Sequence, residues 1–248
     1  QKLYTQATPK KIDAYVLDDI LPKRLKEVIL DIDETPIGTA SVGQVHKATL
    51  KDGRVVAIKF IKDDVENAFK KDVKAFRRFI KVITFFYPKL HKVADPLGVL
   101  EHIETFTLAE LNLLNEIKHS KILKDIKDDY AKAFDFSTLE FPIYDETLSS
   151  KHVLVSNFIE GRPVDAILRE GKLSETEMLD IFRWHGFYMF IVGTFHGDIH
   201  PGNIMFNNGT YTLIDTGAIS TVSRRIQQGL FDFMKALSYY DYKLCAKK

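Results

Sequence analysis

An α+β fold with two lobes is predicted for this chain of 248 residues. Three features predict it: a loop of regularly spaced small residues before two predicted strands, two long helical patterns in the middle, and a polar loop followed by a hairpin near the end. The pattern indicates a helical extension over 1–35, an N-terminal lobe with inserted helices over 36–158 and a partial C-terminal lobe over 159–248. Within the extension, a helix is predicted from Ala14 to Leu30, with an interruption at Pro22.

The bulk composition is that of an ordinary globular protein, with 45% hydrophobic and 28% charged residues. A net charge of +1 gives no field that would favour nucleic acid, so no nucleic-acid partner is predicted. The single cysteine, Cys245, excludes an internal disulfide and a cysteine metal cluster. No signal peptide and no run of ~18 apolar residues is visible, so a cytoplasmic location is expected. The start at Gln1 rather than Met favours a fragment or a processed form.

Two strands joined by an Asp52-Gly53 turn are predicted after Pro36. The residues before the first strand are spaced G-x-A-x-x-G, and such a loop lets backbone N–H groups approach phosphates closely. The second strand ends in V-A-I-K at Lys59, which matches the strand-three motif of protein kinases and would place a cation on nucleotide phosphates. Contacts with ATP are predicted for Gly38, Ala40, Ser41, Gly43, Val45, Ala57 and Lys59.

Two helices are predicted between this hairpin and the next strand. Val65 to Tyr87 keeps a three-four apolar period with many lysines and arginines on its polar side. That side is read as a solvated face, with binding to anionic lipid as the alternative. The second helix is predicted from about Ile103 to Leu123, and its Glu116 is expected to pair with Lys59 as a helical Glu does in kinases. Glu110 is the alternative partner.

The strand Val153 to Val155 is predicted to lead into a hinge. Backbone groups of Asn157, Phe158 and Ile159 would there contact adenine, although a plain buried strand explains the same residues equally well. Farther on, Ser174-Glu175-Thr176-Glu177 reads as a capping box. It opens an apolar helix that is expected to lie in the core of the C-terminal lobe.

The loop from His196 to Asn203 carries the strongest chemical signal. Its spacing is H-x-D, four residues, then Asn, as in the kinase catalytic loop, and Asp215 later begins a D-T-G string that fits D-F-G. Asp198 is predicted to accept or orient the proton of an attacking hydroxyl or water. Asn203 and Asp215 are predicted to ligate Mg²⁺ or Mn²⁺, because hard cations prefer oxygen ligands.

A hairpin is predicted between these two motifs. Ile204 to Phe206 and Tyr211 to Ile214 flank an Asn208-Gly209 pair, which is a strong turn signal. The hairpin would hold the loop and Asp215 on one rigid support, so that both acids face one site.

With these motifs in place, the chain resembles the UbiB-like (AarF-type) atypical kinases from about Pro36 to Ser223. The most specific strings are A-S-V-G-Q-V from Ala40, similar to the family's alanine-rich loop, and H-G-D-I-H-P-G-N from His196. The resemblance implies a protein-kinase-like fold with a helical insertion in the N-terminal lobe, ATP with a divalent metal as cofactor, and ATPase activity. It also implies support of ubiquinone or related isoprenoid-lipid biosynthesis.

The partners implied by the resemblance are a nucleotide, an isoprenoid-lipid precursor or a membrane surface, and proteins of lipid biosynthesis. Three departures from the family pattern stand out. Thr216 replaces the usual Phe after Asp215, and Asn112 replaces the Asp of an E-x-D motif that begins at Glu110. The K-x-G-Q motif is not present as a full string.

Three other functions fit parts of the sequence. Aminoglycoside and choline kinases share the H-G-D-x-H string, so a small-molecule phosphotransferase is the alternative enzyme. Thr216 and Asn112 favour a nucleotide-binding scaffold with little catalysis. The basic helix Val65 to Tyr87 fits an adaptor at a membrane surface.

Overall fold

A computed structural model describes residues 21–39, 43–61, 64–87 and 95–246. The chain divides into two compact units, Gln1–Asn115 with Ile143–Phe158, and Glu116–Pro142 with Ile159–Lys248. In chain order the elements are α1 Lys23–Val28, β1 Ile29–Ile32, β2 Gly38–Thr39, β3 Gly43–Leu50, β4 Val55–Ile61, α2 Val65–Phe86, α3 Pro96–Glu110, α4 Leu114–Tyr130, β5 Leu139–Glu140, β6 Val153–Asn157, β7 Arg162–Pro163, α5 Val164–Arg169, α6 Glu175–Gly186, a π-helical turn Phe187–Val192, β8 Thr194–His196, a 3₁₀ turn Pro201–Asn203, β9 Ile204–Asn207, β10 Thr210–Leu213, β11 Ile219–Thr221, α7 Arg224–Ser238 and α8 Tyr242–Cys245. The predicted α+β class is confirmed.

The first unit contains an antiparallel sheet in the order β1-β3-β4-β6, with β2 paired to β3. The predicted hairpin of β3 and β4 is confirmed, and Gly53 takes the left-handed conformation (φ 87°) that its turn requires. Alternate residues such as Ile58 and Phe60 are fully buried, and Leu25 of α1 packs among them. The residues that alternate with these core residues therefore point to the other face of the sheet.

The start of the described chain differs from the expected helix. Only Lys23–Val28 is helical, and Ile29–Ile32 forms strand β1. Ile29 pairs with Leu50, and both Ile29 and Ile32 pack against the core of the sheet. These tertiary contacts, together with β-branched side chains, favour the strand. Residues 1–20 lie outside the described part, and so does most of the predicted extension.

The long helix predicted from Val65 is confirmed as α2. The single helix predicted from Ile103 to Leu123 is wrong, because the chain leaves the helical path after Glu110 and enters α4 at Leu114. Asn112 accepts a hydrogen bond from the Leu114 N–H through its side-chain oxygen (3.3 Å). The Leu113 N–H donates to the carbonyl of Lys151 at 2.8 Å, so a bond to another segment replaces a helical one.

The second unit contains a four-stranded sheet in the order β5-β10-β9-β7 and a β8–β11 pair. The predicted β9–β10 hairpin is confirmed, with Asn208 (φ 48°) and Gly209 (φ 85°) both left-handed. Residues 116–142, which the sequence places in the N-terminal lobe, group with this unit. The reason is packing, since Leu123 and Leu139 are buried in its core beside Trp184.

The capping box at Ser174 is confirmed, with both reciprocal hydrogen bonds to Glu177 present. The helix that it opens is buried along one side only: Trp184 lies in the core, whereas Leu179 and Phe182 are exposed. The predicted fully buried helix is therefore corrected to an amphipathic one. In the described part of the chain, no helix is long and apolar enough to cross a membrane.

Candidate functional site

One face of the first sheet brings together three of the predicted nucleotide residues, Val45, Ala57 and Lys59. The β3–β4 register places Val45 directly opposite Lys59. It also places Lys47 opposite Ala57. These four residues are half-buried, whereas intervening residues such as His46 are fully buried in the core. Because opposite residues of a pair point to the same face, Val45, Ala57 and Lys59 share one surface.

Lys47 belongs to this surface although the sequence motifs do not mark it. Its Nζ lies 4.7 Å from the ring centroid of Phe158, a cation–π contact. The two-residue alternation of β3 puts Lys47 on the face of Val45, so strand periodicity is the signal that could have found it. Phe158, predicted to act through its backbone, thus also contributes its ring within the first unit.

The glycine-spaced loop is described only at its two ends. Gly38 pairs with Val45 as part of β2. A Cβ atom on Gly43 would collide with the carbonyl oxygen of Phe60, so this glycine is required by the close approach of β3 and β4. Ala40 and Ser41 lie outside the described residues, and their predicted phosphate contacts stay predictions.

The hinge differs from its prediction in one respect. The Asn157 N–H donates to the carbonyl of Ile143 (2.9 Å), and the Phe158 N–H donates to the carbonyl of Val55 (3.1 Å). These two donors are therefore used within the first unit. The predicted contacts of Asn157 to Ile159 with adenine stay a prediction, which then rests on Ile159 and on carbonyl groups.

In the second unit, His196 connects the two acidic motifs. The Asp198 N–H donates to His196 Nδ1 at 3.1 Å, so Nδ1 is unprotonated and Nε2 carries the hydrogen. That Nε2–H donates to the carbonyl oxygen of Asp215 at 2.5 Å. The ring is almost completely buried. One imidazole therefore fixes the Asp198 backbone to the Asp215 backbone in a single tautomer.

Further hydrogen bonds fix the rest of the loop. The Asn203 N–H donates to the carbonyl of His200 (2.8 Å), and the Ile214 N–H donates to the carbonyl of Asn203 (3.0 Å). His200 Nδ1 accepts from the Gly202 N–H at 3.0 Å and so caps the 3₁₀ turn. Asn203 is thereby held beside the end of β10, two residues before Asp215. Asp198 itself lies at the exposed side of the loop.

Asp215 is held by a local hydrogen bond that aims its carboxylate. Its Oδ1 accepts from the Gly217 N–H at 3.0 Å. A Cβ atom placed on Gly217 would lie 3.2 Å from that oxygen and 3.9 Å from Oε1 of Glu116. The carboxylates of Asp215 and Glu116 therefore flank the same glycine, and Glu116 is 97% buried there.

Two residues of this site were not assigned a role by sequence reasoning. Thr216, noted only as a departure from Phe, is completely buried, and its hydroxyl donates to the carbonyl of Glu116 at 2.9 Å. His119 Nδ1 lies 3.0 Å from the carbonyl oxygens of both Thr216 and Gly217. No sequence motif marks His119, which is separated from Thr216 by 97 positions.

The predicted metal ligands, Asn203 and Asp215, are two oxygen donors and do not form a site of three or more protein ligands. In the described part of the chain, no group of three or more His, Cys, Asp or Glu side chains could hold an ion. Asp215 offers a fixed carboxylate and Asn203 an amide oxygen on the connected loop. Mg²⁺ is commonly bound by one or two protein oxygens with phosphates and water completing its shell, so this sparse donor set suits Mg²⁺ that arrives with a nucleotide.

The two groups of predicted residues belong to different units. Val45, Ala57 and Lys59 lie in the first, and the acids and Asn203 lie in the second, together with Glu116. The expected pairing of Lys59 with Glu116 stays a prediction, as does the alternative with Glu110.

Beside the site, burial lowers the pKa of His185 to about 4, with a smaller effect of the nearby His196, so that His185 is neutral at pH 7.

The chain is similar to proteins that are named as kinases. Over 229 residues the chain is 30% identical to the probable protein kinase UbiB of Photobacterium profundum, covering 88% of this chain and 40% of that protein. It is 27% identical to the AarF domain-containing protein kinase 1 of Gallus gallus, covering 98% of this chain and 46% of that protein. The chain thus spans less than half the length of these relatives.

A solved structure shows a similar fold. The Rv3197–erythromycin complex from Mycobacterium tuberculosis superposes with a TM-score of 0.68 at 28% identity, covering 94% of this chain and 57% of that one. The sequence model of the ABC1 atypical kinase-like domain matches residues 4–248. The predicted protein-kinase-like fold and the resemblance to UbiB and AarF proteins are confirmed, and the chain belongs to the ABC1 atypical kinase-like family.

Proposed function

We propose that this chain binds ATP with Mg²⁺ or Mn²⁺ and transfers the γ-phosphoryl group to water or to a hydroxyl acceptor. The observation that carries the proposal is the His196 imidazole, which joins the Asp198 loop to the Asp215 segment through two backbone hydrogen bonds. Phosphoryl transfer depends on positioning and charge neutralisation. Two carboxylates on connected backbone would position the acceptor and a divalent cation, and the cation would neutralise the charge of the phosphates. Membership in an atypical kinase family supports the same chemistry.

Four residues would share the work of binding ATP and transferring its phosphoryl group. Asp215 and Asn203 would hold the divalent ion, whose charge lowers the cost of negative charge on the phosphates. Asp198 would orient the attacking oxygen and take its proton as the new P–O bond forms and the bond to the leaving ADP oxygen breaks. Lys59 would contact the phosphates from the first unit as a point charge.

The carboxylate of Asp198 gives the direct test. Asp198→Asn keeps the side-chain size and removes the base, so phosphate release from ATP is expected to slow by about 10²–10⁴-fold. Asp129→Asn, on the exposed side of α4, is the matched control and should leave the rate unchanged. An unchanged rate in Asp198→Asn would remove the proposed base. ATP binding without any turnover in the wild type would favour the nucleotide-binding scaffold instead.

We also propose that α2 contacts anionic lipid, which would bring an isoprenoid-lipid acceptor within reach. Phe76, Phe79 and Phe86 of α2 are 60–70% exposed, and lysine and arginine outnumber acidic residues along the helix. Exposed aromatic side chains beside cations are the pattern of a helix lying on a bilayer surface. Support of ubiquinone or related lipid biosynthesis, which the resemblance to the UbiB-like kinases implies, is part of the same proposal.

Co-sedimentation with vesicles of neutral and anionic lipid at low salt tests the lipid contact. Phe79→Ser should lower the bound fraction, because it removes apolar area from the inserting side. Phe182→Ser is the control, since Phe182 is 73% exposed and belongs to the second unit, whereas α2 belongs to the first. Equal losses in the two variants, or no sedimentation of the wild type, would refute the contact.

A further inference from the structure

The Thr216 hydroxyl and the His119 ring link the Asp215 segment to the first turns of α4. The hydroxyl donates to the carbonyl of Glu116 at 2.9 Å. His119 Nδ1 faces two carbonyl oxygens, those of Thr216 and Gly217, each at 3.0 Å. Since carbonyl oxygens only accept, this nitrogen must carry the hydrogen and donate to both. All four residues belong to the second unit.

The link begins at the residue that follows Asp215 in the chain. His196 fixes the Asp215 carbonyl to the catalytic loop, and Thr216 and His119 fix the next two residues to α4. The carboxylates of Asp215 and Glu116 flank Gly217 between these two anchors. Any slide of α4 along its axis would therefore break the Thr216 bond and separate the two carboxylates.

A phenylalanine in this place could bind α4 only by apolar packing, which tolerates small slides. A buried hydroxyl needs one acceptor at one distance and angle, so it defines a single register. We propose that Thr216, assisted by His119, is a positioning residue that fixes the register of α4 and so sets the Glu116 carboxylate relative to the metal-binding Asp215. The metal part of this inference rests on the proposed function.

Three variants separate the hydroxyl from the shape of the side chain. Thr216→Val removes the hydroxyl at nearly constant volume, and Thr216→Ser retains it. Thr212→Val is the matched control, because Thr212 is a second buried threonine of this unit and belongs to strand β10. If Thr216→Val fails to fold, His119→Phe removes the second half of the link at a residue that is only half-buried.

Two readouts are needed. Amide hydrogen exchange in the first turns of α4, measured without nucleotide, reports on the link itself. The Mg²⁺ concentration that half-saturates the ATP-dependent thermal shift reports on its effect on the metal site. Loss of one hydrogen bond is expected to raise the α4 exchange rate and this Mg²⁺ concentration about two- to tenfold. Thr216→Ser and Thr212→Val should match the wild type in both.

Each outcome decides a separate question. Unchanged exchange in Thr216→Val, or equally fast exchange in Thr216→Ser, overturns the link. Faster exchange with an unchanged Mg²⁺ requirement overturns the effect on the metal site. A wild type that shows no ATP-dependent shift at any Mg²⁺ concentration refutes the proposed function, and the exchange rates then decide the register of α4 alone.

Discussion

Replacing His196 by phenylalanine should destabilise the second unit, because the imidazole hydrogen-bonds two backbone groups, the Asp198 N–H and the Asp215 carbonyl. Phenylalanine keeps a planar ring of similar size but leaves the carbonyl of Asp215 without its 2.5 Å donor. The Asp198 N–H loses its acceptor too, but Asp198 is exposed and water can replace the ring nitrogen. The expected cost is that of losing one partly buried hydrogen bond to the Asp215 carbonyl, about 1–3 kcal/mol.

Urea unfolding followed by tryptophan fluorescence measures this cost in the second unit of the chain. Trp184 is the only tryptophan in the sequence, and it is buried in the core of the second unit. A loss of about 2 kcal/mol corresponds to a midpoint shift of roughly 1 M urea. His200→Phe is the control, since His200 is exposed and caps only one turn, so its shift should stay within about 0.5 kcal/mol. Equal midpoints for the two variants would refute the role given to His196.

Two further predictions concern the stability of the same unit. Burial lowers the pKa of His185 to about 4, below the ~6.5 of an unfolded histidine, so the unfolded chain binds the extra proton first. Stability is therefore complete above pH 6.5 and falls as the pH drops towards 4, and urea midpoints at pH 7.5 and 5 should differ less in His185→Phe than in the wild type. Gly209→Ala should lower the free energy of unfolding by ~1–2 kcal/mol, the cost of a left-handed non-glycine residue, and the thermal midpoint should fall with it. The added Cβ would meet no atom, so only backbone strain acts. Gly229→Ala, inside α7, should be neutral or stabilising by up to ~1 kcal/mol, and equal losses at both glycines would contradict the argument.

The elements that could be predicted from the sequence depend on short-range chemistry. The Asn208-Gly209 turn and the Ser174 capping box need only residues within a few positions of one another, and both are confirmed. The face shared by Val45 and Lys59 follows from strand alternation and the length of the Asp52-Gly53 turn. Local rules were sufficient in each case.

The errors arise where distant segments meet. The break between α3 and α4 depends on the bond from Leu113 to the carbonyl of Lys151, which no local pattern contains. The strand at Ile29–Ile32 exists because β3 offers it a pairing edge. The bond from the Phe158 N–H to the Val55 carbonyl of β4 also joins segments that are far apart in the chain, so no local pattern indicated it.

Thr216 shows the limit of motif comparison at the site. A motif registers Thr in place of Phe only as a departure, because it records residue types and not hydrogen-bond partners. The partners of the Thr216 segment are Glu116 and His119, about a hundred positions earlier in the chain. Its role became visible only when the fold placed α4 beside Asp215.

The proposed phosphoryl transfer from ATP depends on a divalent metal held by Asp215. Phosphate release from ATP, measured against Mg²⁺ concentration for the wild type and Asp215→Asn, is the decisive experiment. We expect Mg²⁺-dependent release by the wild type and a rate at least about a hundredfold lower in Asp215→Asn. Release that is independent of Mg²⁺, or an Asp215→Asn rate equal to that of the wild type, would refute metal binding by Asp215.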